Sequence, residues 1–241
     1  MIELQKMHKS YGDVHAVNGL SLTANDGEIT TLLGANGSGK STTLRMLAGI
    51  IKPDGGQALV DSINVAAHPM KARRRLGMFG DQFGLYPRIT AFEHLEYVGG
   101  FHGLSGKALK NSVAEISELL QMTDLLDRRT EGFSQGQRMK VALARTLVTK
   151  PQNLVLDEPT RGLDIMSMRL LRSVLKDLRD SGRCILLSSH VMADVEELSD
   201  KIVFLAAGQV VHTGSASELM AISGTASLEE AFISMINTHA A

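Results

Sequence analysis

The sequence predicts an α/β fold with a parallel sheet core, an N-terminal antiparallel β subdomain and an α-helical insertion. Three apolar strand patterns each precede a helical pattern, and this alternation is typical of a parallel sheet with helices on both faces. Short alternating segments broken by glycines near the N-terminus indicate the antiparallel subdomain. The insertion is indicated by a stretch in which strand signals vanish and apolar residues recur at helical spacing. The 241 residues suffice for one sizeable domain.

Each predicted unit of the core begins with a short apolar strand and continues into a helix. The units are strand 29–33 with helix 41–50, strand 153–156 with helix 164–179, and strand 184–187 with helix 191–198. The strands expected in the antiparallel subdomain are 2–7, 17–22 and 57–60. The helical insertion is predicted over 90–148, which leaves 1–89 and 149–241 as the core with its β subdomain, in one domain over 1–241.

Charge and cysteine content argue against a nucleic-acid-binding protein and against a disulfide-bonded or Cys-rich metal-binding one. The 25 Lys and Arg residues nearly balance the 26 Asp and Glu residues, so no global basic surface indicates nucleic-acid binding. A basic run over 71–75 is interpreted as a solvated helix end. The single cysteine, Cys184, excludes an internal disulfide and a Cys-rich metal site, and is expected in a buried strand. The methionines, including Met166 and Met168, are expected to fill the core.

The sequence gives no sign of a secretory signal or of a membrane span. Residues 1–6 lack the charged and apolar regions of a signal peptide. The longest approach to an apolar run, 202–207, has the length of a buried strand and is far below the roughly 18 residues that a span requires. We therefore expect a chain that stays in the cytoplasm and does not cross a bilayer by itself.

A glycine-rich motif between the first core strand and its helix predicts a nucleoside triphosphate site. Its residues are Gly34, Ala35, Asn36, Gly37, Ser38, Gly39, Lys40 and Ser41, followed by Thr42. In this P-loop pattern, glycines let backbone N–H groups converge on phosphate oxygens, and the helix N-terminus adds a positive dipole. Lys40 is expected to neutralise the β- and γ-phosphates, and the Ser41 hydroxyl to ligate Mg²⁺.

Two carboxylates follow the second core strand. Residues 154–159, Leu-Val-Leu-Asp-Glu-Pro, read as a buried strand that ends in Asp157 and Glu158. Asp157 is positioned to hold the Mg²⁺ shell, usually through water, and Glu158 to accept a proton from the attacking water. Beside a P-loop, this pair predicts hydrolysis as well as binding of the triphosphate.

A third motif carries a family resemblance. Residues 133–137, Phe-Ser-Gln-Gly-Gln, begin a predicted helix. They resemble the signature motif of ABC ATPases, Leu-Ser-Gly-Gly-Gln in its commonest form, with Phe at 133 and Gln at 135 as departures. Ser134, Gly136 and Gln137 stand at a helix N-terminus, where free N–H groups suit a γ-phosphate. In this family the motif binds ATP that is held by the other subunit.

Four further segments resemble motifs of the same family, in the same order along the chain. Tyr11 resembles the aromatic residue that stacks on adenine. Gln82 resembles the Q-loop glutamine, which senses the metal and the attacking water. Residues 162–164, Gly-Leu-Asp, resemble the D-loop, and His190 resembles the switch histidine that contacts the γ-phosphate.

The resemblance covers nearly the whole chain and implies a RecA-like P-loop fold that binds ATP and Mg²⁺ and hydrolyses ATP. It also implies a head-to-tail dimer with a second ATPase subunit; a homodimer is expected, although the sequence leaves the identity of that subunit open. An integral membrane permease would dock where the insertion meets the Q-loop, at 83–86 and the helix 90–101. The chain is therefore expected at the cytoplasmic face of the cell membrane, held peripherally by the permease.

Two features indicate the group within the family. Residues 84–90, Gly-Leu-Tyr-Pro-Arg-Ile-Thr, follow the Q-loop, and the short C-terminus leaves no room for a regulatory domain. Both resemble ATPases of ABC-2-type exporters, including the sodium-efflux and drug-efflux groups. Two alternatives stay open: a soluble ABC ATPase that acts on ribosomes or DNA, and an ATP-binding module without turnover. The module without turnover is disfavoured because Lys40, Asp157, Glu158 and His190 are all present.

Overall fold

The chain folds into two sheets and a set of helices in a computed structural model that describes residues 1–80 and 83–240, with side chains as far as residue 236. The strands are β1 (Ile2–Tyr11), β2 (Val14–Ala24), β3 (Ile29–Leu33), β4 (Gly55–Val60), β5 (Ile63–Asn64), β6 (Leu76–Phe79), β7 (Asn153–Asp157), β8 (Cys184–Ser189), β9 (Lys201–Ala206) and β10 (Gln209–Gly214). The α-helices are α1 (Lys40–Leu47), α2 (Pro69–Arg73), α3 (Ala91–Phe101), α4 (Gly106–Leu119), α5 (Gln135–Leu147), α6 (Ile165–Asp180), α7 (Met192–Leu198), α8 (Ala216–Ser223) and α9 (Leu228–Ala240). A 3-10 helix covers Thr123–Leu125.

A six-stranded sheet forms the centre of the molecule, in the order β10-β9-β3-β8-β7-β6. Strands β6, β7, β8, β3 and β9 are parallel to one another, and β10 pairs antiparallel with β9 at the edge of the sheet. Every residue of β3, β7 and β8 is buried, because helices cover both faces of a parallel sheet and turn its strands into continuous apolar runs. The predicted parallel core is confirmed.

A second sheet of four antiparallel strands, in the order β2-β1-β4-β5, forms the predicted β subdomain. The prediction is confirmed, with strands longer than the sequence pattern indicated, because a bulge interrupts the alternation in β1. Lys6 takes a left-handed φ of 47° between Leu4 and Met7, where the register shifts. A Cβ on Gly56 would lie 2.2 Å from the Lys6 carbonyl oxygen, so the bulge requires glycine opposite it.

Between residues 90 and 148 the chain forms α3, α4, the 3-10 helix and α5, as the loss of strand signals predicts. Helices α3 and α5 each begin with a capping box. The Thr90 hydroxyl accepts from the Glu93 N–H, and the Ser134 hydroxyl accepts from the Gln137 N–H. Helix α5 is buried along most of its length and packs against α3, α4 and β6. The exact bounds of the insertion as a separate subdomain stay a prediction.

Alternate residues of the central strands face two apolar clusters, one on each side of the sheet. Ile185 and Leu187 belong to the cluster that includes α5 and α6, whereas Cys184 and Leu186 belong to the cluster that includes α1 and the β subdomain. The Cys184 thiol is buried as predicted, and burial raises its pKa to about 12. It therefore stays protonated and packs as a small apolar group.

The expectation that the methionines fill the core is wrong for Met166. Its side chain is 72% exposed in the first turn of α6, beside Ile165, which is 71% exposed. Met168, by contrast, packs partly buried against the core cluster, and Met139 is fully buried in α5. Apolar side chains that are exposed together mark contact surfaces, and hydrophobicity alone does not distinguish such a surface from a core.

Helices α8 and α9 cover one end of the central sheet. The rings of Phe204 on β9 and Phe232 on α9 meet edge to face, with centroids 5.5 Å apart, and Leu219 and Leu228 are buried in the same cluster. Across the described ranges, no single helix is long and apolar enough to span a membrane. Helices α8 and α9 taken together have the required length and hydropathy, but the pair is bent at the break between them.

Leu186→Ala should destabilise the fold, because it removes buried methyl groups from a strand that is paired on both sides. We expect the free energy of unfolding, measured by urea denaturation, to fall by about 2–5 kcal/mol. Ile222→Ala is the matched control, since that side chain is 62% exposed on α8 and its truncation should cost less than about 0.5 kcal/mol. Equal stability of the two variants would contradict the assigned core.

Candidate nucleotide-binding site

The P-loop joins β3 to α1 and depends on glycine where it passes closest to its neighbours. A Cβ on Gly34 would lie 2.4 Å from Ser38 Oγ, and a Cβ on Gly39 would lie 2.3 Å from the Ala16 carbonyl oxygen. Gly39 also has a φ of 103°, a conformation that residues with a Cβ rarely adopt. The loop therefore keeps its shape only with glycine at both positions, immediately before α1 begins at Lys40.

The Lys40 side chain is folded into this loop. Its Nζ donates to the carbonyl oxygens of Gly34 at 2.7 Å and Ala35 at 3.2 Å, and lies 3.8 Å from Glu158 Oε1. Burial lowers the pKa of Lys40 below its usual value, and the carboxylates of Glu158 and Asp157 oppose that shift. A cation held by neutral carbonyl oxygens is ready to exchange them for charged phosphate oxygens, which form stronger hydrogen bonds.

Ser41 and Asp157 meet at the carboxyl end of β7. Ser41 Oγ donates to Asp157 Oδ1 at 3.2 Å, and Ser188 Oγ donates to the same oxygen at 2.6 Å. Asp157 is almost fully buried, and these hydroxyls satisfy its charge. A hydroxyl beside a carboxylate is the kind of oxygen donor set that Mg²⁺ prefers, so Ser41 and Asp157 fit this ion together with water and phosphate oxygens.

Glu158 leaves the strand in a strained conformation. Its φ of 49° lies in the left-handed region, which costs a non-glycine residue about 1–3 kcal/mol. Its N–H donates to Ser188 Oγ at 3.0 Å. Its Oε2 lies 2.7 Å from His190 Nδ1, while Oε1 faces Lys40. The carboxylate is thus held between a buried cation and an imidazole.

Lys40, Ser41, Glu158 and His190 line one cavity of about 390 Å³, within the usual range for small-molecule sites. Its walls are formed by Tyr11, Ala16, Asn36, Gly37, Gly39, Lys40, Ser41, Thr42, Glu158, Arg161 and His190. Tyr11 is half exposed, and Lys9 Nζ lies 5.5 Å from its ring centre. In the P-loop, Ser38 Oγ is buried without a hydrogen-bond partner among the described residues.

The signature residues lie at the exposed N-terminus of α5 and do not contribute to the walls of this cavity. The Ser134 N–H donates to Gln137 Oε1 at 3.0 Å, so the Gln137 side chain is occupied within the helix cap. A Cβ on Gly136 would lie 2.1 Å from Ser167 Oγ, and Ser167 donates in turn to Asp164 of the D-loop. The signature turn and the D-loop therefore pack directly on each other.

Gln82 lies outside the described residues, so its role as a catalytic and metal-sensing residue stays a prediction. Ser188 contacts both carboxylate residues of the site but was not predicted. The signal available for it was one hydroxyl at the end of an apolar strand, and its meaning depends on the register that pairs Ser188 with Asp157.

The chain is similar to known proteins in sequence and in fold. The family model described as ABC transporter matches residues 17–161. The ABC transporter ATP-binding protein NatA of Bacillus subtilis (strain 168) is 37% identical, with 98% of each chain covered. The linearmycin resistance ATP-binding protein LnrL of the same organism is 32% identical over 98% of this chain and 76% of its own length.

One similar solved structure is a dimer. The ATP-binding cassette MJ0796, in a dimeric post-hydrolysis state with ADP and Pi, superimposes with a TM-score of 0.81 at 27% identity, over 89% of this chain and 98% of that one. Its fold has the layers described above. The match to the family model and the two relatives show that this chain belongs to the ABC transporter family, as an ATP-binding and ATP-hydrolysing subunit.

Proposed function

We propose that this subunit hydrolyses ATP at the P-loop cavity, with Mg²⁺, and thereby drives export through a separate membrane permease. The observation that carries the proposal is the position of the Glu158 carboxylate between Lys40 and His190 in a cavity of nucleotide size. Export is supported by the word "resistance" in the name of LnrL, which is 32% identical over 98% of this chain.

The P-loop residues would bind the phosphates of ATP. Lys40 would release the Gly34 and Ala35 carbonyl oxygens and bind the β- and γ-phosphates, while the loop N–H groups and the Thr42 turn of α1 surround them. Tyr11, at the open side of the cavity, would stack on the adenine ring. A bound Mg²⁺, held by Ser41 and Asp157, supplies positive charge at the phosphate oxygens.

Glu158 and His190 would activate water. Water attacks the γ-phosphorus, its proton passes to the Glu158 carboxylate, and the bond between the γ-phosphorus and the bridging oxygen breaks to release ADP. His190 holds Glu158 Oε2 through Nδ1 at 2.7 Å, which leaves its other ring nitrogen for the γ-phosphate. Lys40 and the loop N–H groups stabilise the charge on the transferred phosphoryl oxygens.

A second ATPase subunit would complete each site. Ser134 and Gly136 lie outside the cavity of their own chain, at an exposed helix N-terminus that suits the γ-phosphate of ATP on a partner. The exposed Ile165 and Met166 follow the D-loop, which packs on Gly136, and provide an apolar surface that a partner would cover. We propose a head-to-tail homodimer, supported by the dimeric assembly of MJ0796.

The permease would dock at the segment that follows Gln82. Arg145 of α5 donates to the carbonyl oxygens of Phe83 at 2.6 Å and Gly84 at 3.1 Å. The Tyr86 N–H donates to His94 Nε2 at 3.1 Å, and burial lowers the pKa of His94 to about 4, so the ring is neutral and accepts. These bonds fix the backbone of the segment while the Tyr86 ring stays 60% exposed.

A cleft of about 280 Å³ adjoins this segment, between the core and the insertion. Its walls are Ala48, Ile50, Arg73, Leu76, Gly77, Met78, Val98, His102, Arg145, Thr146 and Thr149. Tyr97 and Phe101 lie exposed on the same helix as Val98, with ring centroids 4.8 Å apart. Exposed aromatic side chains around a cleft are typical of protein interfaces. A permease seated there would hold the subunit at the cytoplasmic face of the membrane.

Glu158→Gln should abolish turnover and retain ATP binding. The amide keeps the shape of the side chain but does not accept a proton, so we expect the steady-state ATPase rate to fall by about 100-fold or more. ATP affinity, measured by fluorescence titration, should change by less than about threefold. Glu229→Gln, an exposed carboxylate on α9, is the control and should keep the wild-type rate. Undiminished hydrolysis by Glu158→Gln would contradict the assigned base.

Tyr86→Asp should prevent assembly with the permease. A charge in place of an exposed aromatic ring at the docking segment should reduce the co-purified permease by about tenfold or more, with ATPase activity of the isolated subunit kept. Ile222→Asp is the matched control, since Ile222 is 62% exposed at the other end of the chain. Intact assembly of Tyr86→Asp, or co-purification of the wild-type subunit with ribosomes or DNA in place of a membrane protein, would overturn the proposal.

A further inference from the structure

We propose that Ser188 is a positioning residue that sets the carboxylate of Asp157 and the backbone of Glu158 through a single buried hydroxyl. Its Oγ donates to Asp157 Oδ1 at 2.6 Å and accepts from the Glu158 N–H at 3.0 Å. One side chain on β8 thus contacts the two adjacent residues of β7 to which metal binding and proton transfer are assigned. This inference rests on the proposed function of Asp157 and Glu158.

The position of Ser188 follows from the sheet register. Parallel pairing places Ser188 beside Asp157, the last residue of β7. Beyond that point Glu158 turns into a left-handed conformation, with a φ of 49°, and its N–H is directed to the Ser188 hydroxyl. The Ser188 hydroxyl therefore accepts from the Glu158 N–H in place of a backbone carbonyl oxygen, at the point where the strand ends.

The bonds of Ser188 have no substitute in solvent. The side chain is fully buried, so water does not reach the Asp157 oxygen or the Glu158 N–H from this side. A hydroxyl that donates to a carboxylate forms a short, charge-assisted bond, and the 2.6 Å distance is of that kind. Loss of this hydroxyl leaves the Glu158 N–H without its acceptor and leaves Asp157 Oδ1 with only the donor from Ser41.

The proposed roles of Asp157 and Glu158 depend on how their carboxylates are oriented. Asp157 Oδ1 accepts from Ser41 as well as from Ser188, so the two hydroxyls together fix the plane of the carboxylate beside the proposed ion. The Glu158 backbone sets the path of its side chain toward His190. Ser188 should therefore influence the affinity for Mg²⁺-nucleotide and the rate of proton transfer, although it contacts neither the ion nor the nucleotide.

The experiment compares Ser188→Ala, Ser188→Thr and wild type. Calorimetric titration with ADP, in the presence and absence of Mg²⁺, measures the gain in affinity that the ion provides, and steady-state assays measure kcat and KM. For Ser188→Ala we expect a loss of kcat of about tenfold or more with KM little changed, and an ion-dependent gain reduced about threefold or more. ADP affinity without Mg²⁺ should stay within about twofold. Ser188→Thr keeps the hydroxyl and should recover at least part of both losses.

Ser112→Ala is the matched control, because Ser112 is another buried serine with a hydrogen-bonded hydroxyl. Its Oγ donates to the Val148 carbonyl oxygen, and neither residue lines the nucleotide cavity. It should keep wild-type kcat and ion dependence. Wild-type values for Ser188→Ala, or a loss of kcat matched by an equal loss of ADP-binding stoichiometry, would overturn the inference. If Glu158→Gln lost turnover while Ser188→Ala kept it, only the role of Ser188 would fail. Full turnover by Glu158→Gln would instead contradict the proposed function.

Discussion

The parallel register of β3, β8 and β7 is the constraint on which the site depends. Leu33 pairs with Ser189 and Asp157 pairs with Ser188, so three strands that are distant in sequence end at one edge of the sheet. The P-loop, the two carboxylates and His190 each follow one of these ends. Because the register is locked by strands buried on both faces, the site is held by the core and tolerates little displacement.

Charge balance at this edge explains why the residues work as a group. Burial lowers the pKa of Lys40 and so disfavours its charged form, and the carboxylates of Glu158 and Asp157 oppose that shift. Loop carbonyl oxygens accept from Lys40, and the hydroxyls of Ser41 and Ser188 donate to Asp157. Phosphate binding exchanges some of these partners for stronger ones, so nucleotide and protein complete the same network. The energetic consequence is that a single lost hydroxyl, such as that of Ser188, affects more than one function.

The sequence predicts the features that depend on local chemistry. The P-loop and the buried strands follow from residues within a few positions of each other. Strand β6 was missed because Gly77 breaks its pattern; a Cβ there would lie 2.7 Å from Pro151 Cγ, so packing and not a turn requires the glycine. The roles of Ser188 and of exposed Met166 depend on strand register and on surfaces, which sequence patterns do not encode.

We propose that each chain carries half of a composite site, with Lys40 and Glu158 on one subunit and Ser134 and Gly136 on the other. Light scattering of the hydrolysis-deficient Glu158→Gln chain, with and without ATP and Mg²⁺, tests it most directly. We expect the mass of one chain without nucleotide and twice that mass with ATP, and we expect no dimer when Ser134→Arg is added, although ATP still binds. A single-chain mass at saturating ATP, or a dimer indifferent to nucleotide and to Ser134→Arg, would contradict it.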